Sequence, residues 1–329
     1  MSEIKHVGKL RCALENTPEE LFFSLVDYRN NLFTSNDPEK IIEFYNGFHN
    51  RDQLIQWMKE RPKGASYIHE VEGDKDIIVV IPTADFNGKY ARTCREEIFK
   101  GLHMIFVESG ENPDPYFNYA HNCNVGIKKA MEYNPKWVVI SNDDMVTIDS
   151  VSKLIFRLGS IQDRPVVFTA PRGKYHSYPT KVGKRSHLKL LYYMTKGDRG
   201  LTLYKLESKI QKKFRSPYTI ENMSLYHRFF NRETVRFVNI GSFGILNSDF
   251  LKKRSCKLFD ETYINGIEDA DISLSIKKDK IDFVVVNFRI GDLVGSSLGS
   301  YSKNRQMRDF INQVYFNSKY TEYLLQMGK

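Results

Sequence analysis

The run Ile77-Ile78-Val79-Val80-Ile81 is the stretch of this chain that decides its fold. It is continuously apolar and it ends at Pro82. A strand with one solvated face alternates apolar and polar residues, whereas a strand covered on both faces is an unbroken apolar run. We therefore predict a central strand of a parallel sheet at this position.

Further strands and helices are predicted to alternate along the chain after this run. The predicted strands are residues 104–107, 137–141 and 166–170, and the predicted helices are residues 92–101, 121–133 and 149–158. Strands that alternate with helices at this spacing are typical of a doubly wound α/β sheet.

The chain ahead of the run, residues 1–75, is predicted to be an N-terminal helical extension. Thr17-Pro18-Glu19-Glu20 and Asn36-Asp37-Pro38-Glu39 each place a capping residue before a proline and an acid, which signals a helix start. Residues 51–60 are a further helix candidate, ended by Pro62 and Gly64. We find no recognisable chemistry in this extension.

Polar residues follow the first three predicted strands where each strand ends. They are Pro82-Thr83-Ala84-Asp85, Glu108-Ser109-Gly110 and Asn142-Asp143-Asp144. In doubly wound sheets, ligands bind beyond the carboxyl ends of the strands. Adjacent carboxylates repel each other, and a Mg²⁺ or Mn²⁺ ion with oxygen ligands would offset that repulsion. The alternative for the third group is a helix N-cap and turn.

A second acidic cluster, Glu268-Asp269-Ala270-Asp271, follows Asn265-Gly266 much later in the chain. Like the strand-end groups, it is a candidate for a functional site. The alternative is the acidic first turn of a surface helix, with Ile272, Leu274 and Ile276 packed behind it.

Positive charge is concentrated in one segment. The chain has 49 Lys and Arg, 40 Asp and Glu, and a net charge of +9. Residues 172–236 contain 16 of the basic residues and 4 of the acidic residues. The rest of the chain therefore has 33 basic and 36 acidic residues. Such a segment favours an anionic partner, such as phosphate, a lipid surface or nucleic acid. The alternative is a solvated surface insertion.

Several classes of protein lack their motifs in this sequence. Without GxxxxGK[ST], a P-loop nucleotidase is not expected, and without GxGxxG after the first strand, a dinucleotide oxidoreductase is not expected. The sequence also has no GxSxG and no HExxH, which argues against a serine hydrolase of the common type and against a zincin. No CxxC pair occurs among the four cysteines, and a reducing compartment is expected. Apolar stretches fall far short of the roughly 20 residues of a membrane span, and no signal-peptide core is recognisable. We expect a cytoplasmic protein.

Seven short motifs occur in an order that resembles one enzyme family. They are residues 77–83, Val107-Glu108-Ser109-Gly110, Asn124-Val125-Gly126-Ile127, residues 138–144, residues 241–246, Phe259-Asp260-Glu261 and Glu268-Asp269-Ala270-Asp271. Together they resemble the motifs of family 2 glycosyltransferases. Tyr315-Phe316 and Lys319-Tyr320 are similar to a C-terminal helix pattern of rhamnosyltransferase-like members. The resemblance covers residues 76–171 and 237–320.

The resemblance implies an A-type glycosyltransferase fold, a Rossmann-like and mostly parallel sheet flanked by helices. It implies a nucleotide-sugar-binding half at residues 76–171 and an acceptor half with C-terminal helices at 237–329. Residues 172–236 would then be a basic insertion that can shape the acceptor site. Residues 190–194 and 209–215 within it mix apolar, aromatic and basic side chains, which suits a peripheral membrane contact, a lipid-phosphate acceptor or a lid over the diphosphate.

The resemblance also implies an inverting, metal-assisted transfer of a sugar from a nucleotide diphosphate, a UDP-sugar by default, to a hydroxyl of a glycan, glycolipid or protein. Asp269 would be the general base, and Asp144 and Asn142 would bind Mn²⁺ or Mg²⁺. The nucleotide-binding residues would be Pro82, Thr83, Asp85, Glu108, Asn142 and Asp143. The acceptor-side residues would be Glu268, Asp271, Gly241 and Ser242.

Three positions depart from the family pattern. Asn142 replaces the first acid of the metal motif, Glu108 replaces an aspartate, and residues 283–288 lack a histidine that many members use for the metal. A catalytically silent nucleotide-binding protein on the same fold therefore remains an alternative. A nucleotidyltransferase is a further one, although residues 83–89 match its basic glycine-rich loop poorly. Nucleic acid ranks last among the partners, because the chain outside 172–236 is slightly acidic.

Overall fold

The structure is a computed structural model of the chain. It describes residues 32–33, 35, 37–110, 114–147, 149–161, 164–169, 176–185, 188–195, 197–222, 231–293 and 303–328. The helix predicted to start at Thr17-Pro18 lies outside the described residues.

Helices and strands are numbered here in chain order over the described residues. The helices are α1 (Pro38–Asn46), α2 (Arg51–Glu60), α3 (Lys89–Thr93), α4 (Tyr119–Met131), α5 (Val151–Gly159), α6 (Leu188–Met194), α7 (Gly197–Lys213), α8 (Ser248–Lys253), α9 (Glu268–Lys278) and α10 (Lys303–Met327). The strands are β1 (Ser66–Val71), β2 (Asp74–Thr83), β3 (Leu102–Ser109), β4 (Trp137–Ser141), β5 (Met145–Thr147), β6 (Val166–Thr169), β7 (His176–Arg185), β8 (Tyr218–Asn222), β9 (Asn231–Gly241), β10 (Phe243–Asn247), β11 (Phe283–Val286) and β12 (Ile290–Asp292).

The central sheet has seven strands in the order β1-β3-β2-β4-β10-β6-β11. β2 pairs in parallel with β3 and β4, and β6 pairs in parallel with β11. β10 is antiparallel to both of its neighbours, and β1 is antiparallel to β3. The prediction of an α/β fold with a mostly parallel sheet is therefore confirmed, with one antiparallel strand inside the sheet and one at its edge.

Strand β2 is covered on both faces, as its apolar run predicts. Ile77, Val79 and Ile81 belong to a core cluster shared with the π-helical turn Cys94–Ile98 and α5. Ile78 and Val80 belong to a second cluster on the opposite face, shared with α4 and α9. Because neighbouring residues of a strand point to opposite faces, an unbroken apolar run is what this position requires.

Capping side chains lie at the starts of α1 and α2, where the sequence predicts helices to begin. Asp37 accepts a hydrogen bond from the backbone N–H of Glu39 at the start of α1, where Pro38 occupies the first helical position. Asn50 caps α2, which has the predicted bounds of 51–60. These side chains satisfy amide groups that have no partner inside the helix.

Two local predictions are wrong. The helical extension predicted over residues 1–75 fails at Ser66–Val71, which forms β1 and pairs along its length with β3. Its side chains are exposed or half-buried, so its sequence lacks a buried apolar run. The helix predicted over 92–101 begins earlier, as α3, and ends in the π-helical turn Cys94–Ile98.

A three-stranded antiparallel sheet, in the order β8-β7-β9, lies in and next to the basic segment. Its buried side chains Val182, Tyr218 and Phe237 share a cluster with residues of α9 and α10. A separate cluster joins α1 and α2 to α7 and α10, through residues such as Phe44 and Phe214. Segments far apart in sequence are therefore packed into common cores. Among the described helices, none is both long enough and apolar enough to cross a bilayer.

Candidate functional site

The site lies at the edge of the central sheet where β2, β3 and β4 end. Because β10 runs the opposite way, it starts at this same edge, with Phe243 opposite Ser141. The backbone N–H of Asn142 donates to the carbonyl of Ser242 at 3.1 Å. Gly241, which ends β9 with a φ of 65°, turns the chain into this contact. The predicted donor-side and acceptor-side residues are thus neighbours at the strand ends.

Thr83 and Asp143 form the centre of this edge. The Thr83 hydroxyl donates to Oδ2 of Asp143 at 2.7 Å. The pKa of Asp143 is raised to about 6, mainly by burial and also by the nearby charge of Asp144, while the Thr83 hydrogen bond opposes the shift. A cation next to Asp143 would lower its pKa again, because a nearby positive charge favours the ionised carboxylate.

The turn after β2 is closed by local hydrogen bonds. Asp85 accepts from the backbone N–H of Asn87 at 2.9 Å, and its carbonyl faces the Thr83 hydroxyl at 3.2 Å. Pro82 lies opposite Val107 in the β2–β3 register. Pro82 and Asp85 are therefore within two residues of Thr83, which contacts Asp143.

Glu108 is held by a neighbour that the sequence reasoning missed. One of its oxygens lies 2.6 Å from Nε2 of His69 on β1, and the other accepts from the backbone N–H of Phe86 at 3.2 Å. The His69 and Phe86 rings are stacked at 4.3 Å, and the Arg95 guanidinium lies over the Phe86 ring at 4.3 Å. Glu108 thus ties β1 to the turn after β2.

Tyr119 connects the end of β4 to the loop that leads into the second acidic cluster. Its hydroxyl donates to Oδ1 of Asn142 at 3.0 Å. Its backbone N–H donates to Oδ1 of Asn265 at 2.8 Å, three residues before Glu268. Burial raises the pKa of the Tyr119 hydroxyl, and the charges of Glu268 and Asp269 contribute to that rise. The two acidic clusters therefore lie within electrostatic reach of one residue.

Asp269 is oriented by two side chains from the three-stranded sheet. Its Oδ2 accepts from the Tyr178 hydroxyl at 3.2 Å and from Nδ2 of Asn239 at 2.9 Å. Its Oδ1 accepts from the backbone N–H of Ala270 at 2.8 Å. Asn239 also donates to the Tyr178 hydroxyl at 3.0 Å. These contacts hold the carboxylate in one orientation at the start of α9.

Glu268 lies beside Asp269 but is buried. Its Oε2 accepts from the backbone N–H of Gly266 at 2.6 Å. Burial, reinforced by the charge of Asp269, raises the pKa of Glu268 to about 8. At neutral pH Glu268 therefore holds its proton in the folded chain, and Asp269 has no second full charge next to it.

Ile267 directly precedes α9 and has a backbone conformation that its side chain disfavours. Its φ is 75°, in the left-handed region, where a β-branched residue is strained. The residue directly precedes Glu268 and Asp269. The helix start that presents Asp269 is therefore held by its surroundings rather than by local preference.

Asp271 lies behind the site, in contact with α10. Its Oδ2 accepts from Nζ of Lys319 at 2.8 Å, and its Oδ1 accepts from the Tyr263 hydroxyl at 2.9 Å. Lys319 also donates to Asp260 at 3.0 Å. Burial raises the pKa of Asp271, and Lys319 offsets only part of that rise. This network fixes the first turn of α9 against the C-terminal helix.

The candidate cation ligands are oxygen atoms that directly follow β4. Asp144 is buried, and its carbonyl accepts from the backbone N–H of Leu293, next to the short β5–β12 pair. Within the described ranges, no group of three or more His, Cys, Asp and Glu side chains is arranged to hold a metal. Mg²⁺ commonly takes one or two carboxylates and completes its shell with phosphates and water. Asp143 and Asp144 are two carboxylates of the number that such a shell takes from the protein.

The sequence does not single out several side chains that contact the candidate site residues, among them His69, Tyr119, Tyr178 and Asn239. Each is a lone polar or aromatic residue that contacts its partner from a distant part of the chain. Only Asn239 had a local signal, because it lies two residues before Gly241.

The chain is an α/β protein, and hydroxyl, amide and carboxyl side chains lie together at the edge of its central sheet where β2, β3 and β4 end. A comparison of the chain with family models, with curated proteins and with solved structures found no match.

Proposed function

We propose that the protein is an inverting glycosyltransferase that moves a sugar from a nucleotide diphosphate, a UDP-sugar by default, to an acceptor hydroxyl. The observation that carries this proposal is the arrangement around Tyr119. This residue links Asn142, at the end of β4, to the loop that leads into Asp269. A diphosphate-binding edge and an oriented base within reach of one residue are what such a transfer needs.

In the proposed reaction the acceptor oxygen bonds to the anomeric carbon as the bond between that carbon and the diphosphate oxygen breaks. The electron pair leaves with the nucleoside diphosphate, and the acceptor proton goes to Asp269. Tyr178 and Asn239 keep the Asp269 carboxylate aimed, because both donate to its Oδ2. Glu268, protonated at neutral pH, adds no competing charge.

Asp143 and Asp144 would hold a divalent cation, Mn²⁺ or Mg²⁺, with Thr83 orienting Asp143. Such a cation would supply positive charge to the leaving diphosphate. Asn142 would contribute its amide oxygen only after exchanging the hydrogen bond from Tyr119.

The test is a calorimetric binding panel on the full chain. UDP, GDP and dTDP are each titrated with and without Mn²⁺ into wild type, Asp143→Asn, Asp144→Asn and Asp269→Asn. Asp52→Asn, at an exposed position of α2, is the matched control. We expect Mn²⁺-dependent binding of one nucleotide, loss of that binding in Asp143→Asn and Asp144→Asn, and retention in Asp269→Asn and Asp52→Asn.

Turnover of the matching nucleotide sugars is measured on the same variants. We expect Asp269→Asn to lose at least about a hundredfold in kcat while it keeps donor affinity. Binding without turnover in the wild type would favour the catalytically silent protein. Failure of all three nucleotides to bind would overturn the proposal.

A further inference from the structure

The helix pair α6–α7 carries a surface that the proposed function does not use. We define this basic helical surface as Lys205, Lys209 and Lys212 of α7 together with Leu191 and Met194 of α6. It lies within residues 172–236, the segment that holds the excess positive charge of the chain.

The three lysines share one face of α7. They are spaced four and three residues apart, which places side chains above one another on a helix. All three are exposed, whereas Leu206 and Ile210 of the same helix, and Phe214 directly after it, are buried. The lysine face therefore points away from the core that α7 shares with α1, α2 and α10.

Helix α6 lies against the side of α7. The Tyr193 hydroxyl donates to Glu207 at 2.8 Å, and the Tyr193 and Tyr204 rings contact each other at 5.8 Å. Leu191 and Met194 are each 53% exposed. Two exposed large apolar side chains, on a helix that packs against the helix with the exposed lysines, form a combination typical of proteins that lie on a membrane surface.

The distribution of charge agrees with a membrane partner. Residues 172–236 carry 16 Lys and Arg against 4 Asp and Glu, and the rest of the chain carries 33 against 36. An anionic surface would therefore attract this segment and weakly repel the remainder, which orients the molecule. Leu191 and Met194 are aliphatic, and the Tyr193 and Tyr204 rings contact each other. Among the side chains of α6 and α7 that the structure describes, none is therefore an exposed aromatic ring of the kind on which single-stranded bases stack.

We propose that the basic helical surface binds the anionic face of a lipid bilayer, with Lys205, Lys209 and Lys212 beside the headgroups and Leu191 and Met194 entering the interface. This inference stands apart from the proposed function, because it needs neither a nucleotide nor a sugar.

The test is flotation of the full chain with lipid vesicles in the absence of nucleotide. One set of vesicles is phosphatidylcholine alone, and the other is phosphatidylcholine mixed with phosphatidylglycerol. The variant Lys205→Gln/Lys209→Gln/Lys212→Gln removes the lysine face. The matched control Lys128→Gln/Lys277→Gln/Lys278→Gln removes the same charge from exposed positions of α4 and α9.

We expect the wild type to bind only the vesicles with phosphatidylglycerol. A surface lysine near an anionic membrane is worth about fivefold in affinity, so the α7 variant should lose roughly a hundredfold while the control changes little. Leu191→Ser/Met194→Ser should lose about tenfold with every lysine intact.

Three results would overturn the inference. The wild type could fail to float with the anionic vesicles, or the control could lose as much binding as the α7 variant. A single-stranded oligonucleotide could also bind more tightly than the vesicles and lose its binding in the α7 variant, which would assign the surface to nucleic acid. Circular dichroism and the Tm of each variant confirm that the comparison is between folded proteins.

Discussion

Asp269 and Glu268 are adjacent carboxyl groups in opposite environments. Asp269 accepts three hydrogen bonds, from Tyr178, Asn239 and the backbone of Ala270. Glu268 is buried, and its pKa is raised to about 8. Adjacent titratable groups whose environments differ in this way are suited to different roles. In the proposed reaction one residue accepts the proton and its neighbour stays neutral.

Among single residues, Tyr178 offers the most direct test of how Asp269, the proposed base, is oriented. Tyr178→Phe should remove one of the two side-chain hydrogen bonds to Asp269. A hydrogen bond to a charged group is worth about 1.5–3 kcal/mol, so we expect kcat to fall at least about tenfold. The KM for the donor should not change, because the hydroxyl faces the base. Steady-state kinetics with the nucleotide sugar found in the binding panel measures both constants.

Tyr133→Phe is the matched control for this prediction, because the Tyr133 hydroxyl donates to Glu70, far along the chain from Asp269. If Tyr178→Phe lowered the Tm but left kcat unchanged, the role of Tyr178 would be only structural.

Among the helices and strands, α4 is packed closely onto the central sheet. A methyl group added at Gly126 would overlap the side chains of Val80 on β2 and Val107 on β3. This glycine belongs to the Asn124-Val125-Gly126-Ile127 motif. The residue therefore sets how near Tyr119, at the start of the same helix, lies to the strand ends.

Gly126→Ala should destabilise the fold by about 1–3 kcal/mol, because overpacking forces the helix away from the strands. Urea unfolding followed by circular dichroism measures the difference. Gly159→Ala, at the end of α5, is the control, since an added methyl group there has nothing within contact distance. Equal stability of the two variants would refute close packing at Gly126.

Helix α10 is tied to α9 by Lys319, which bridges Asp260 and Asp271. Lys319→Met should cost about 2–4 kcal/mol, because it leaves buried Asp271 without its cation. The double variant Lys319→Met/Asp271→Asn should recover part of that loss. Urea unfolding of both single variants and the double variant measures the coupling, and purely additive losses would show that the pair does not interact.

For the molecule as a whole, stability should depend on pH through Glu268. Its pKa is raised from the ordinary glutamate value of 4.5 to about 8 in the folded chain. Between these values the folded chain keeps a proton that the unfolded chain has released. The free energy of unfolding should therefore fall as pH rises from about 5 to 8, by up to about 1.4 kcal/mol per pH unit from this group.

Glu268→Gln should flatten this pH dependence and make the protein relatively more stable at pH 8 than the wild type. Urea unfolding at several pH values between 5 and 8 gives the two slopes. Glu96→Gln, at an exposed position, is the control and should leave the slope unchanged. An unaltered slope in Glu268→Gln would show that Glu268 does not hold the proton.

The complete fold also joins segments that look separate in the sequence. Residues 38–60 look like part of an extension, yet α1 and α2 share a core with α7 and α10. Residues 172–236 look like an insertion, yet Tyr178 within them donates to Asp269. Long-range packing of this kind has no local periodicity to reveal it.

The central strands and the polar residues at their ends could be predicted from local patterns alone. Apolar runs such as residues 77–81 and 137–140 are local, and burial on both faces of a sheet is their direct physical cause. The capped starts of α1 and α2 were predictable for a similar reason, because a capping side chain acts within a few residues of itself.

The residues that support those strand ends emerge only when the chain is folded. Tyr178 and Asn239 are 91 and 30 residues from Asp269, and His69 is 39 residues from Glu108. β1 became a strand because the edge of β3 was open to pair with it. These contacts depend on how distant segments meet in space, and a single hydroxyl, amide or imidazole carries no pattern that specifies its partner.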